Sequence, residues 1–350
     1  MTQTNISDFS NKTQSQTSEE SNRENDNTDR EEAKRTEFSL DGLRANDPLA
    51  FLAAVGTVRA LDSAETTDRP KLSWTRVGSN WTPTLHMKEE LSREQLLDTL
   101  TEYLTDDQDA LRYTMSNDPS IKRNKLSNLD PEEFQELLST VELRSEDEQA
   151  LAAYGTDAFR NHSEIAEFSP REQGTAVTRL DIVEFSGPLC FLKGQRRLLE
   201  ETTQAKLRET LFELWEFSDD ASGHRTMRWS PTDAKRGAYT GVDPTNLDSQ
   251  TVHGANRLAI EGSRLYTVVP HVAGGETVGF VQLETGEHVF QYPIWSAPVG
   301  VTTIQTLLAH PELMSTDPAP EQVQGVEKVL RAEVEVNDRY RNLGRGIPVN

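Results

Sequence analysis

The sequence predicts an α+β fold: a mostly helical N-terminal half packed on a C-terminal half with a small antiparallel sheet, behind a disordered N-terminal tail. Three observations predict it. Residues 1–36 are Thr, Ser, Asn, Gln, Asp and Glu with almost no large apolar side chains, too little to offset the entropy of ordering. Residues 37–170 carry helix caps followed by apolar residues at helical spacing, with one β-hairpin among them. Residues 171–350 mix helices with short alternating runs separated by turn residues.

In chain order, Asn46-Asp47-Pro48 offers a cap and a first-turn proline, and Leu49, Leu52, Ala53, Val55, Gly56 and Leu61 follow at helical spacing. Lys71 to Met87 alternates around Gly78-Ser79-Asn80 and predicts a hairpin bearing Trp74 and Trp81. Ser92 and Gln95 form a capping box for a helix to about Leu104. After a polar segment from Met115 to Asn128, further helix starts stand at Asp130-Pro131 and at Ser145 with Glu148. Thr175 to Phe185 alternates as a strand. Helices are expected over Leu189 to Glu200 and Gln204 to Glu216, the second with Leu207, Leu211 and Leu214 on one face. Gly254 to Leu265 predicts a helix; Tyr266 to Pro270, Val278 to Leu283 and Glu287 to Tyr292 predict strands. Val301 to Ala309 predicts a short helix, and the tail from Ala319 starts helical.

The chain of 350 residues is 35% hydrophobic, enough for one large core or two smaller ones. Acidic residues (58) outnumber basic ones (36), for a formal net charge of −22 spread along the chain. Such a surface fits a cytoplasm of high salt, where screening shortens repulsion to about 3 Å at 1 M. It argues against non-specific binding to DNA or anionic membrane, while leaving room for a local basic groove. Cys190 is the only cysteine, so no disulfide forms within the chain; it is expected to be a buried structural thiol. Met1 to Ser10 is polar and the longest apolar run, Leu49 to Val58, is too short for a bilayer, so a cytoplasmic protein without membrane contact is expected.

Most catalytic chemistries find no foothold. The seven histidines are scattered, and neither a zinc motif, a phosphate-cradling GxxxxGK or GxGxxG, nor a GxSxG elbow is present. No metal site, no cofactor and no catalytic residue is assigned. What remains is a set of cations and one amide in the second half. Arg196 and Arg197 sit on a predicted helix, where they reach phosphate or pair with Glu200 and Glu201. Arg228, Lys235 and Arg236 flank Trp229, an aromatic for stacking on a base or for the core. Asn256 and Arg257 open a helix and either attract an anion or brace the fold. Arg345 lies in the Gly-rich closing stretch.

Several segments, in consistent order, resemble a family of CRISPR-associated proteins from type I-G (formerly I-U) loci. They are DPLAFLAAVGTVRAL with LSW and WTPTL, then FSGPLCFLKGQRRLLE, LRETLFELWEF and RWSPTDAKRGAYTGVDPT, and finally GANRLAIEGSRLYTVVP, FQYPIWSAPVG and RNLGRGIPV. Together they cover about half of the chain beyond the tail. The resemblance implies antiviral defence, as an effector subunit or an extension associated with the helicase-nuclease. Implied partners are other effector subunits, the helicase-nuclease, and guide RNA or target DNA. The expected function is thus a non-catalytic subunit, not an enzyme, with Arg196, Arg197, Arg228, Lys235, Arg236, Asn256, Arg257 and Arg345 on the nucleic acid. Two alternatives stand beside it: a purely protein-binding scaffold, and an unrecognised metal-dependent nuclease.

Overall fold

A computed structural model describes residues 36–64, 69–105, 155–160, 172–182, 191–222, 225–232, 250–271, 274–337 and 340–349. The predicted tail up to residue 35, the helices at Asp130 and Ser145, the segment from Met115 to Asn128, and Cys190 lie outside the described residues.

The elements run β1 (Thr36–Ser39), α1 (Pro48–Ser63), β2 (Lys71–Val77), β3 (Asn80–Met87), α2 (Arg93–Thr105), β4 (Gly155–Arg160) and β5 (Glu172–Val177). They continue with α3 (Phe191–Glu200), α4 (Gln204–Phe212), β6 (Asp219–Asp220), β7 (Gln250–Thr251), α5 (His253–Ser263), β8 (Val268–His271), β9 (Gly274–Thr277) and β10 (Phe280–Gln282). The last are β11 (His288–Trp295), α6 (Val301–Leu308), β12 (Val326–Ala332), β13 (Val334–Asn337), β14 (Tyr340–Leu343) and β15 (Ile347–Pro348).

This corrects the expected fold class. Among the described residues, six helices and the strands are mixed along the chain, and the first half is not mostly helical. Strand β1, unforeseen in the sequence, pairs antiparallel with β3, and β3 with β2, giving a three-stranded sheet in the first half. Its face carries Phe38, Leu72, Trp74, Leu85 and Met87, all buried. The tail from Ala319 departs as well: after one short 3-10 turn it forms strands, and β12 joins the antiparallel sheet β10-β11-β12-β15. Val334 and Val336 alternate with charged Glu333 and Glu335 there, a period of two that selects strand over helix.

Helix α1 starts where its cap residues demand. Asp47 Oδ1 accepts from the Leu49 N–H at 3.0 Å and Pro48 occupies the first turn. The Ser92–Gln95 capping box closes reciprocally, at 2.8 and 3.2 Å. Every residue of α1 from Pro48 to Leu61 is buried, and α5 is buried along its whole length. The two helices can approach so closely because of Gly56 and Gly262. A Cβ on Gly56 would stand 1.9 Å from the Leu258 carbonyl oxygen, and one on Gly262 would stand 2.1 Å from that of Leu52.

Both sheets are joined to this helix pair by aromatics. Phe51 of α1 stacks on Trp74 of β2 at 5.6 Å and meets Tyr292 of β11 at 4.3 Å. The Tyr292 hydroxyl donates to the Ala45 carbonyl at 2.9 Å, and Trp295 Nε1 to that of Leu72 at 2.8 Å. The described residues belong to one compact unit, Arg35–Asn350. Among them, no helix is long and apolar enough to cross a membrane.

Candidate functional site

Of the residues expected on nucleic acid, the described ones divide between the surface, with Arg197 and Arg345, and the interior, with Asn256 and Arg257. Arg196 lies on α3, and Lys235 and Arg236 lie outside the described residues. Arg197 is exposed and donates to Glu200 at 2.9 Å, with both side chains close to half accessible. An exposed pair of this kind contributes about 0.3–0.5 kcal/mol, so a phosphate can compete for the guanidinium. Arg345 is exposed between β14 and β15 and forms no ion pair with another described residue.

Asn256 and Arg257 brace the fold. Asn256 is fully buried; its Oδ1 accepts from the Met227 N–H, and its amide donates to Thr251 Oγ1 and the Val252 carbonyl. Trp229 is core: it is fully buried and its Nε1 donates to the Leu180 carbonyl at 2.9 Å. Arg228 contributes its backbone. It adopts φ 63°, and its carbonyl accepts from the Leu343 N–H at 3.0 Å. Next to it the Ser230 hydroxyl donates to Asp47 Oδ2 at 2.7 Å, so this loop is tied to the cap of α1.

The corner between α3, α4 and α5 shows what became of the other cations. Arg225 Nε donates to Glu201 at 3.0 Å, and that hydrogen bond above all holds the Glu201 carboxyl below its usual range. Lys206 stands 3.6 Å from Glu201 and 3.7 Å from Asp219. Its ammonium also donates to His253 Nδ1 at 2.8 Å, which places the imidazole proton on Nε2, where it donates to the Asp220 carbonyl at 2.7 Å. Asp220 is held low chiefly by the Ser222 hydroxyl and amide. Two cations against three carboxylates give this corner no pull on phosphate.

A second cluster lies between α1, α2 and α5, and only part of it was readable in advance. Glu261 is fully buried and receives three guanidinium groups: Arg59, Arg257 at 2.7 Å and Arg264 at 3.2 Å. Burial alone would raise the Glu261 carboxyl, but Arg264, Arg257 and Arg59 outweigh it and hold it down at about 2. Arg257 Nε and Nη2 both donate to the Leu104 carbonyl, at 3.2 and 3.1 Å, and so cap the C-terminal turn of α2. Beside them burial, and then the Glu261 charge, push the Tyr103 phenol up. The spacings Arg257–Glu261 and Glu261–Arg264 were visible on a predicted helix. The contribution of Arg59 was missed, although one arginine in the apolar run Leu49 to Leu61 marks a buried partner.

Below α4 the chain bends through Glu213–Phe217 and opens a cleft of about 180 Å³ against Thr251 and Val252. The predicted helix to Glu216 ends instead at Phe212, because Glu213 turns to an extended conformation at φ −119°, ψ 156°. That leaves Leu214 75% exposed rather than in the core stripe. Among the described residues no group of three or more His, Cys, Asp and Glu side chains is placed to hold a metal ion. Compared with models of protein families and with curated proteins, the chain matches none.

Proposed function

We propose that the chain is a non-catalytic subunit of a type I CRISPR interference complex in a high-salt cytoplasm. It holds the sugar–phosphate backbone of guide RNA or target DNA through exposed cations, while partner subunits dock on the remaining surface. Base pairing with the guide reads the sequence, so this protein needs to recognise only backbone and shape. The observation that supports the reading is how the resembling segments meet. DPLAFLAAVGTVRAL is α1 with its cap, GANRLAIEGS is α5, FQYPIW lies in β11 and RNLGRGIPV spans β14 and β15. The Gly346 N–H donates to the Asn46 carbonyl at 2.9 Å, Tyr292 bonds to Ala45, and Leu343 to Arg228. These segments are spent on one framework, which suits a subunit that presents a rigid surface.

Arg197 and Arg345 are the exposed candidates within the described residues, and Arg196, Lys235 and Arg236 remain candidates with them. Replacing Arg197 and Arg345 together with glutamate should weaken retention of a labelled single-stranded RNA by about tenfold, as expected for losing two phosphate contacts. Thermal unfolding should be unchanged. Full retention by the double variant would refute this placement of the backbone contacts.

The scaffold reading has one observation in its favour. Arg225, Lys206 and Arg208 already pair with Glu201, Asp219 and Glu94, so these cations are spent on the protein itself. Under that reading the partners remain bound after complete nuclease digestion.

A further inference from the structure

The cleft below α4 combines two features that point to one kind of occupant. Its apolar part is Leu214, three-quarters exposed, with Trp215 beside it. The indole is held in place: Nε1 donates to the Thr210 carbonyl at 2.9 Å, and Phe217 packs edge-on at 5.7 Å. Its charged part is Glu216, Asp219 and, four residues apart, Glu209 and Glu213. The last two are exposed, and neither forms an ion pair with another described residue. Two like charges at this spacing repel each other, and the C-terminal end of α4 adds further negative potential.

We propose that this cleft is a docking surface for a basic, partly apolar segment of a partner protein. An arginine or lysine side chain would lay its stem along Trp215, where an aromatic face attracts a cation, and place its charge between Glu209 and Glu213. A neighbouring apolar residue would cover Leu214. The carboxylates repel phosphate, so this side of the molecule faces protein and not nucleic acid. The inference is independent of the backbone contacts proposed above, and its test contains no nucleic acid.

The probe is a short fluorescein-labelled peptide of alternating arginine and leucine, titrated into the full chain at one fixed salt concentration. Its glutamate–leucine counterpart is the control. A variant carrying Glu209→Gln, Glu213→Gln and Leu214→Ser should lose about tenfold in affinity. Glu284→Gln with Glu287→Gln removes the same charge from the β10–β11 turn and should change affinity by about twofold or less. Quenching of tryptophan fluorescence by the unlabelled peptide should disappear in Trp215→Phe. Equal losses in the two charge variants would show attraction to net charge alone and overturn the proposal, as would a native chain that does not bind the peptide. All the substituted glutamates and Leu214 are exposed, and circular dichroism confirms that each variant is folded.

Discussion

Three guanidinium groups close on the Glu261 carboxylate, and removing its charge leaves them without it in a buried site. Glu261→Gln should therefore cost about 3–5 kcal/mol, read as a lower midpoint in chemical denaturation at constant salt. The same group makes stability depend on pH. Its folded pKa of about 2 lies below the ordinary 4.5, so its contribution is fully present above pH 4.5. It is lost as pH falls from there to about 2, and amounts to something on the order of 3 kcal/mol. Acid titration of Glu261→Gln should show a correspondingly smaller loss across that window. The residue scale also shows where the sequence ran out. Arg257 and Asn256 had two readings, and only burial and partners from elsewhere in the chain, Leu104 for Arg257 and Met227 for Asn256, select the bracing role. The pairing of Arg197 could be one of its two readings because Glu200 lies on the same helix, whereas Arg225 finds Glu201 across a loop.

At the scale of elements, the start of α1 is a junction. Asp47 caps the helix with one carboxylate oxygen and holds Ser230 with the other. Asp47→Ala should cost about 1–2 kcal/mol, at the upper end for a lost cap because two hydrogen bonds go together. The α1–α5 crossing is less forgiving. Gly56→Ala sets a methyl against the Leu258 carbonyl, which only a shift of the helices relieves, and should cost about 2 kcal/mol or more. Calorimetric melting of both variants checks these values. Helix starts were legible because caps are local chemistry: Asp47 and Ser92 stand where their motifs predict. Ends and short strands were less so. Helix α4 stops before its apolar period does, and the predicted strand from Val278 gives way to a turn at Gly279, whose φ of 81° suits glycine. Strand β1 has only four residues, and its partner β3 lies across α1 and the hairpin turn.

For the whole molecule, alternating helix and strand replace the expected division into halves, since α1 of the first segment needs α5 of the second to bury its surface. No local pattern announces such a pairing; Gly56 and Gly262 mark it only once the helices are face to face. The net charge of −22 sets the conditions for every measurement, because low salt leaves that repulsion unscreened. The most direct measurement of the proposed function is affinity purification of the tagged chain from its own host at the host's salt. Bound proteins are identified by mass spectrometry and bound RNA by sequencing, with and without nuclease. We expect CRISPR effector subunits together with short repeat-derived RNA. Recovery of neither would contradict the proposal and leave the exposed cations as ordinary partners of surface acids.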